Sequence, residues 1–394
     1  MKVLISCFTI RDIGGISTSV LNLLNGIHDK YDVSLCVLSN EISPNVHIPK
    51  DVQLIPGSDI FQDAFGERSA FRKYGLVRKM KAWYRRLYKV VFGVSAALEM
   101  VTRHFKIDES FDTAIAFYNS AYNSKGVKTV GGDFEVVINS VKAKKKIAWI
   151  HNDANKLGIT HDIALVLFEP FDAIVNVSYD CKSTFDRIVP EYKDKSFVVY
   201  NLHDIDTIQR KADEGNPFAP DGKLHFVTVA RLSDYQKKIS RIIETCIRLH
   251  KEGYDSFTWT LVGDGVHRNL YENQVKEEQI EHIVKFSGLQ PNPYPYMKNA
   301  DAFVLSSLYE GLPMTVKEAQ IVGCPTLVTD FGSAEEAVEN GKQGLICENS
   351  TEGVYTMIKD ILNNPDQLNT FKIYLSENPV DNKLGLEQFH NIVQ

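Results

Sequence analysis

Short apolar runs bounded by polar turns recur along this chain, with amphipathic helical stretches between them. A first series covers 3–8, 33–38, 113–117, 146–150, 173–177 and 196–200. A second covers 225–229, 258–262, 283–286, 302–305, 326–328 and 344–347. Continuous Val/Ile/Leu runs of this length suit strands buried on both faces of a parallel sheet. Their alternation with helices predicts a doubly wound α/β arrangement, and the pattern occurs twice. The stretch 201–223 carries Gly215, Pro217, Pro220 and Gly222 and reads as an interdomain linker. The pattern thus predicts two Rossmann-like domains, 1–205 and 206–379, with a last helix at about 380–394 packing back on the first. Ligands of open α/β sheets bind beyond the carboxyl ends of the strands, so two such domains are expected to face each other across a cleft. Further helices are expected at 356–362 and 384–392, and 41–110 reads as an insertion with helices.

Composition adds boundaries to this picture. The 394 residues suit two domains of ordinary size, and 44% hydrophobic against 24% charged residues is a globular balance. A net charge of −6 argues against a surface built for nucleic acid. Cys7, Cys36, Cys181, Cys246, Cys324 and Cys347 are scattered, several inside apolar runs, with no Cys-x-x-Cys pair or zinc spacing. They read as reduced core residues of a cytoplasmic protein. The N-terminal apolar run is too brief for a signal peptide, and no run of roughly 18 apolar residues suggests a membrane span.

Candidate chemistry concentrates in the second half. After the apolar run 302–305 comes Ser306-Ser307-Leu308-Tyr309-Glu310-Gly311-Leu312-Pro313, then Met314-Thr315-Val316-Lys317-Glu318-Ala319. Gly311 permits a tight turn, and Pro313 suits the first residue of a helix. Glu310 then lies in the loop and Glu318 near the second helical turn, both beside a helix N-terminus whose free N–H groups attract phosphate. Carboxylates suit sugar hydroxyls because they accept several hydrogen bonds. Composition alone leaves open that both are solvated surface acids. Arg231-Leu232 after 225–229, with Lys237 or Lys238 beyond, offers a guanidinium and an ammonium; alone it would be a surface turn. Gly263 and Gly265 end one strand in a loop that lets a ligand approach the backbone. Gly288, and Tyr294 in Asn292-Pro293-Tyr294-Pro295-Tyr296, follow the next. Gly14-Gly15 after the first strand opens a helix, and His151 stands at the end of 146–150, a position suited to hydrogen bonding a substrate. A lone Gly-Gly or His would more often be structural.

Glu310 and Glu318, with seven residues between them in Ser-Ser-x-x-Glu-Gly-x-Pro-x-x-x-x-Glu-Ala, resemble the signature of retaining GT-B glycosyltransferases of family 4. The resemblance runs from about 223 to 346 and continues more weakly through the first domain. It implies the two-domain GT-B fold and a nucleotide-sugar donor, with Glu310 at the donor sugar and Glu318 at the ribose. Arg231 and Lys237 would then face the diphosphate as negative charge grows on the leaving group. Gly14, Gly15, Gly263, Gly288, Tyr294, Gly311, Leu312 and Pro313 line the donor site on this reading. Glu310, His151, Arg231 and Lys237 carry catalysis. Ser333-Ala334-Glu335-Glu336 matches a cleft-lining loop, though Glu335 could equally cap the following helix. The Asn-Pro-Tyr-Pro-Tyr segment is similar to that of bacterial polysaccharide enzymes, commonly users of UDP-sugars.

The resemblance implies a glycan or lipid-linked acceptor and no required metal or cofactor, since basic residues replace the metal's charge. Asp204-Ile205-Asp206 has the Asp-x-Asp form of a cation motif but stands in the expected linker, away from any donor motif. From Arg68 to Phe92 there are nine basic residues (Arg68, Arg72, Lys73, Arg78, Lys79, Lys81, Arg85, Arg86, Lys89) and no acid, interleaved with Phe71, Tyr74, Trp83, Tyr84 and Tyr88. Such a segment suits the anionic inner face of the plasma membrane, at about 1 kcal/mol per exposed cation. A solvated helix face or an anionic acceptor fits equally well, and no nucleic-acid module accompanies it. Alternative activities on the same fold are an epimerase or a sugar-phosphate synthase. An oxidoreductase lacks its Gly-x-Gly-x-x-Gly turn here, and a non-catalytic binder would not need Arg231, Lys237, Glu310 and Glu318 together.

Overall fold

The computed structural model describes residues 1–10, 14–66, 74–103 and 105–394. Two compact units divide the chain: 1–202 with 383–394, and 203–382. The crossings at Leu202–His203 and Asn382–Lys383 compare with boundaries at 205 and 379 in the sequence reading.

The first unit contains β1 (Lys2–Cys7), α1 (Gly15–Ile27), β2 (Asp32–Val37), β3 (Gln53–Pro56), α2 (Asp59–Phe65), α3 (Leu76–Thr102) and β4 (Ser110–Ala116). It continues through β5 (Ala121–Tyr122), β6 (Lys128–Val130), α4 (Asp133–Asn139), β7 (Lys142–Ile150), α5 (His161–Phe168), β8 (Ala173–Asn176), α6 (Tyr179–Ile188) and β9 (Ser196–Val198). The second unit runs through α7 (Ile205–Ala212), β10 (Leu224–Val229), α8 (Ile239–Lys251), β11 (Phe257–Val262), α9 (Arg268–Glu277), β12 (Val284–Gly288) and α10 (Tyr294–Asn299). Then come β13 (Ala302–Leu305), α11 (Met314–Ile321), β14 (Thr326–Thr329), α12 (Ala334–Ala337), β15 (Gly344–Cys347), α13 (Thr351–Asn363) and α14 (Asp366–Glu377). The final helix, α15 (Lys383–Val393), belongs to the first unit. There the Thr113 hydroxyl donates to the Val393 carbonyl at 3.1 Å, and Tyr31 meets His390 Nδ1 at 2.8 Å.

The first sheet has seven strands in the order β3-β2-β1-β4-β7-β8-β9, the second six in the order β12-β11-β10-β13-β14-β15. All their pairings are parallel. Each is a doubly wound sheet, with strand order reversing between β1 and β4 in one and between β10 and β13 in the other. The unbroken apolar runs follow from burial on both faces. Phe226, Ala302 and Val304 enter one core layer of the second unit, whereas Val227, Phe303 and Leu305 enter the other. Between them the buried Thr228 hydroxyl accepts from Trp259 Nε1 (3.0 Å) and donates to the Val304 carbonyl (2.7 Å), tying β10 to both neighbours.

Several elements differ from expectation. In the stretch 41–110, β3 is an edge strand whose Leu54 is 51% exposed, so it carries no continuous apolar run to read. The expected linker contains α7, capped by Asp204, whose carboxylate accepts from Thr207 N at 3.2 Å. Asn292 Nδ2 donates to the Lys211 carbonyl (2.9 Å), fastening α7 to its own unit. The breakers Gly215, Pro217 and Pro220 all lie beyond that helix and colour the whole stretch as loop. The helix α14 carried no earlier expectation.

Gly263, at the end of β11, has φ +141, and a Cβ there would stand 2.0 Å from the Ala230 carbonyl oxygen. Gly263→Ala is therefore expected to lower unfolding free energy by about 2–4 kcal/mol, from backbone strain and forced displacement of β10. Urea denaturation with an unchanged m-value would measure it; a loss below about 0.5 kcal/mol would contradict the close approach.

Candidate functional site

At the switch point of the second sheet, the loop after β10 and the loop after β13 are sewn together. Leu308 N donates to the Gln236 carbonyl (2.8 Å), and the Ser306 hydroxyl donates to the carbonyls of Lys237 (2.9 Å) and Lys238 (3.1 Å). The buried Arg241 donates to the Ser306 carbonyl at 3.0 Å and to Asn349 Oδ1 at 2.6 Å. Over this seam sits Glu310, only 7% exposed. Its carboxylate accepts from Lys237 Nζ (2.5 Å), the Ser307 hydroxyl (2.6 Å) and Gln236 Nε2 (3.1 Å). A carboxylate this buried requires a paired cation and saturated lone pairs. Of the two lysines that the sequence left open, Lys237 is the one that reaches Glu310. Lys238 adopts a left-handed backbone (φ 49) before α8, with its ammonium 3.7 Å from Asp234.

Arg231 lies one residue beyond Ala230, whose N–H pairs with the Val262 carbonyl at 3.0 Å. It is exposed, and among the described residues no protein group binds its guanidinium. Gly263 N donates to the Gly288 carbonyl at 2.8 Å, so these two glycines sit side by side at the ends of β11 and β12. Gly288 has φ +67, and a Cβ there would lie 3.3 Å from Arg268 Nη1.

The helix α11 begins at Met314, with Pro313 as an extended N-cap (φ −72, ψ 115) and not as its first helical residue. The fixed proline φ suits either place, and here ψ leaves the helical range. Gly311 and Pro313 are buried, and Leu312 packs against the core layer holding Phe303 and Val316. Glu318 is 6% exposed and, unlike Glu310, has no hydrogen bond or ion pair among the described residues. Burial pushes its carboxyl up to about 7. The adjacent Lys317, also without a partner among them, is pushed down to about 8 by burial. Tyr294 is raised well above the usual phenol range by burial, then by the nearby Glu318 and Asp204 charges. Ser333 precedes α12 with its hydroxyl buried and unbonded, and Glu335 lies in that helix's first turn.

Arg231, Lys237, Gly263, Gly288 and Glu310 thus lie at the carboxyl ends of β10, β11, β12 and β13, and Glu318 lies in α11, the helix that follows Glu310. Gly14, Gly15 and His151 belong to the first unit. Gly14 is the N-cap of α1 with φ 150, and a Cβ there would meet nothing within 4 Å. His151 packs against Phe117 and Trp149, and burial drives its imidazole down to about 3. Its Nε2 lies 3.1 Å from the Phe117 carbonyl, so Nε2–H donates there and Nδ1 is the acceptor left over. Ile13, which precedes Gly14, lies outside the described residues.

Sequence reasoning missed four side chains: Gln236 and Ser307, which hold Glu310, Lys317, and Asp133 in the first unit. Asp133 is buried, accepts from the Ser6 hydroxyl at 3.0 Å, and leaves Oδ2 without a partner. Burial raises it to about 7. Its signal was Gly131-Gly132 before it, both at positive φ. As to metals, Asp204 serves as a helix cap. His250, Asp255 and His282 cluster within hydrogen-bonding reach (2.7 and 3.4 Å to Asp255 Oδ1), but before β11 and β12, at the opposite ends of those strands.

Residues 209–376 match the family model described as glycosyl transferases group 1. An uncharacterized glycosyltransferase of Methanocaldococcus jannaschii is 28% identical over 199 residues, 47% of this chain and 48% of that protein. The Campylobacter jejuni N-acetylgalactosamine-N,N'-diacetylbacillosaminyl-diphospho-undecaprenol 4-alpha-N-acetylgalactosaminyltransferase is 26% identical over 259 residues, 63% of this chain and 67% of that one. The chain thus spans about half the length of the first relative. The crystal structure of Anabaena HepE in complex with UDP and glucose superposes with a TM-score of 0.67 at 15% identity, covering 100% of this chain and 99% of that one. Two parallel Rossmann-like sheets, that likeness across the whole chain, and the match over 209–376 make this a GT-B fold whose second unit carries the glycosyl transferases group 1 segment.

Proposed function

We propose that the chain is a retaining glycosyltransferase of family 4, transferring a sugar from a UDP-sugar to a glycan or lipid-linked acceptor in cell-surface polysaccharide synthesis. The observation that carries this reading is the Lys237–Glu310 pair at the switch point, together with Arg231 and Glu318, neither of which is paired among the described residues. Arg231 and Lys237 supply positive charge to the donor diphosphate, a role a divalent ion fills elsewhere, so no metal is required. Glu310, fixed by three donors, presents its remaining lone pairs to the sugar hydroxyls. Glu318 takes the ribose diol, which supplies the hydrogen bonds the protein withholds. Gly263 and Gly288 let the nucleotide lie against backbone, with Tyr294 beside Glu318. His151, neutral, receives a hydroxyl proton at Nδ1 as a hydrogen-bond acceptor and not as an acid. Retention follows from substitution on one face of the sugar, the leaving phosphate taking the acceptor's proton while the glycosidic bond forms.

The relatives support the substrate classes. HepE was crystallised with UDP and glucose, and the Campylobacter enzyme is named for a diphospho-undecaprenol acceptor. Among the described residues no helix is long and apolar enough to cross a membrane. On the proposed reading a lipid-linked acceptor is met by peripheral contact at the cytoplasmic face.

Two results are expected. Nucleotide release from UDP-sugars should fall about 10²- to 10³-fold in kcat for Glu310→Gln and for Arg231→Ala, the loss of one transition-state contact. Because Arg231 binds no described protein group, its variant should keep wild-type stability within about 0.5 kcal/mol; unaltered turnover in both variants would remove the site assignment. The second result concerns Glu318. Its folded pKa of about 7 lies above the ordinary 4.5, so the folded state holds the proton more tightly and stability falls as pH rises from 4.5 through 7. Glu318→Gln should match wild type near pH 4, exceed it by about 3 kcal/mol at pH 8, and bind UDP more weakly. Denaturation at the two pH values and UDP titration check this; equal stability at both would contradict it.

A further inference from the structure

Of the cations in the basic segment, four turn inward. Of its basic residues, Arg68, Arg72 and Lys73 lie outside the described residues. The others sit on α3, which is interrupted at Gly93 (φ 86, ψ 172). Past that break, Ala97, Leu98 and Val101 are buried and anchor the helix in the core. Before it, four cations point at α2. Arg78 binds Asp63 (3.1 Å), Asp59 (2.9 Å) and Gln62 (2.9 Å), and Arg85 also pairs with Asp63. Arg86 donates to the carbonyls of Asp63 (3.0 Å) and Gly66 (2.8 Å), and Lys89 to that of Ala64 (2.8 Å). Those carbonyls belong to the last turn of α2 and its C-cap, where helix geometry leaves them without partners and negatively polarised. These four cations form an internal clamp between α3 and α2.

The opposite face is apolar and bare. Leu76, Met80, Trp83, Leu87 and Val90 recur at helical spacing with Val77, Tyr84 and Val91 alongside, and Leu76, Trp83 and Val90 are 76, 63 and 79% exposed. At about 1.5 Å per residue this stripe is roughly 24 Å long. Lys79 and Lys81, both exposed and without a partner among the described residues, fall on its two flanks, since a helix advances about 100° per residue. No Asp or Glu occurs from Leu76 to Leu98. A continuous exposed apolar patch marks an interaction surface. Lysines at both rims, outward Trp and Tyr, and the absence of acids fit an anionic lipid surface.

We infer that the outward face of α3 seats in the headgroup–acyl boundary of an anionic bilayer and is held there by apolar contact, with Lys79 and Lys81 setting the preference for anionic lipid. This deepens the peripheral contact named in the proposed function, and its evidence is independent of the donor site. It also replaces the expectation of a cation-driven contact, because Arg78, Arg85, Arg86 and Lys89 are engaged on α2.

The test is flotation of the full chain with vesicles of phosphatidylcholine alone or mixed with phosphatidylglycerol, at low salt and at about 1 M, where the screening length is roughly 3 Å. Binding to the mixed vesicles should survive high salt within about threefold, since apolar burial is not screened. Trp83→Asp with Val90→Asp should cut it at least about tenfold, and Lys79→Gln with Lys81→Gln severalfold on anionic vesicles only. UDP-sugar hydrolysis and thermal unfolding should stay unchanged in both variants, which separates this inference from the donor assignment. No flotation on either vesicle, binding abolished by salt and indifferent to the aspartates, or a wild-type dimer that the aspartates dissolve would each overturn it.

Discussion

A carboxylate buried at the switch point of a parallel sheet is the constraint around which the second unit is arranged. Glu310 is removed from water in the turn between β13 and α11, and a lone anion there would cost several kcal/mol. Lys237, Ser307 and Gln236 offset that cost together. Two of the three come from the loop after β10, so satisfying Glu310 also fixes that loop against the loop after β13. The backbone bond from Leu308 to Gln236 and the Arg241 contact to Ser306 are further stitches in the same seam. Because β10 and β13 are neighbours only where the strand order reverses, this seam exists at one place in the sheet.

Two glutamates of one motif therefore live in opposite electrostatic circumstances. Glu310 has its cation and its donors; Glu318, eight residues on and equally buried, has none among the described residues. Lys317 is next to it in sequence yet forms no ion pair with it, so neither charge relieves the other. A fold selected only for stability would place an apolar side chain at Glu318. Retaining an uncompensated carboxyl makes physical sense where a ligand with hydroxyl donors completes it.

Much of this was legible in the sequence, for identifiable reasons. A strand such as β13 could be bounded to the residue because both its faces are buried and polar turns flank it. β3 was not, since an exposed edge imposes no apolar pattern, and α7 was hidden by the breakers that follow it. For the candidate site, residue type and order singled out Glu310, Glu318, Arg231 and Lys237, whose roles belong to the proposed function. What one sequence could not convey was pairing. The choice between Lys237 and Lys238 turns on a single left-handed residue, and the part played by Gln236 depends on a loop closing against another far along the chain. The cations of α3 taught the same lesson more sharply, because a count of charges says nothing about which way they turn.

The first unit repeats the topology of the second without repeating its chemistry. At the end of β1, beside its own switch point, the polar groups are Ser6 and Asp133, and at the end of β7 stands His151. Burial drives both titratable groups toward their neutral forms, Asp133 upward to about 7 and His151 downward to about 3. Neither has a counter-ion of the kind Lys237 gives Glu310. An edge whose titratable groups burial drives toward neutrality fits hydroxyl groups, which need direction more than charge, whereas an edge carrying Arg231 and Lys237 fits the diphosphate of the proposed donor. Similar strand orders can thus be specialised by the charge state that burial permits at the ends of their central strands, and that division accords with the proposed transfer from a charged donor to a hydroxylic acceptor.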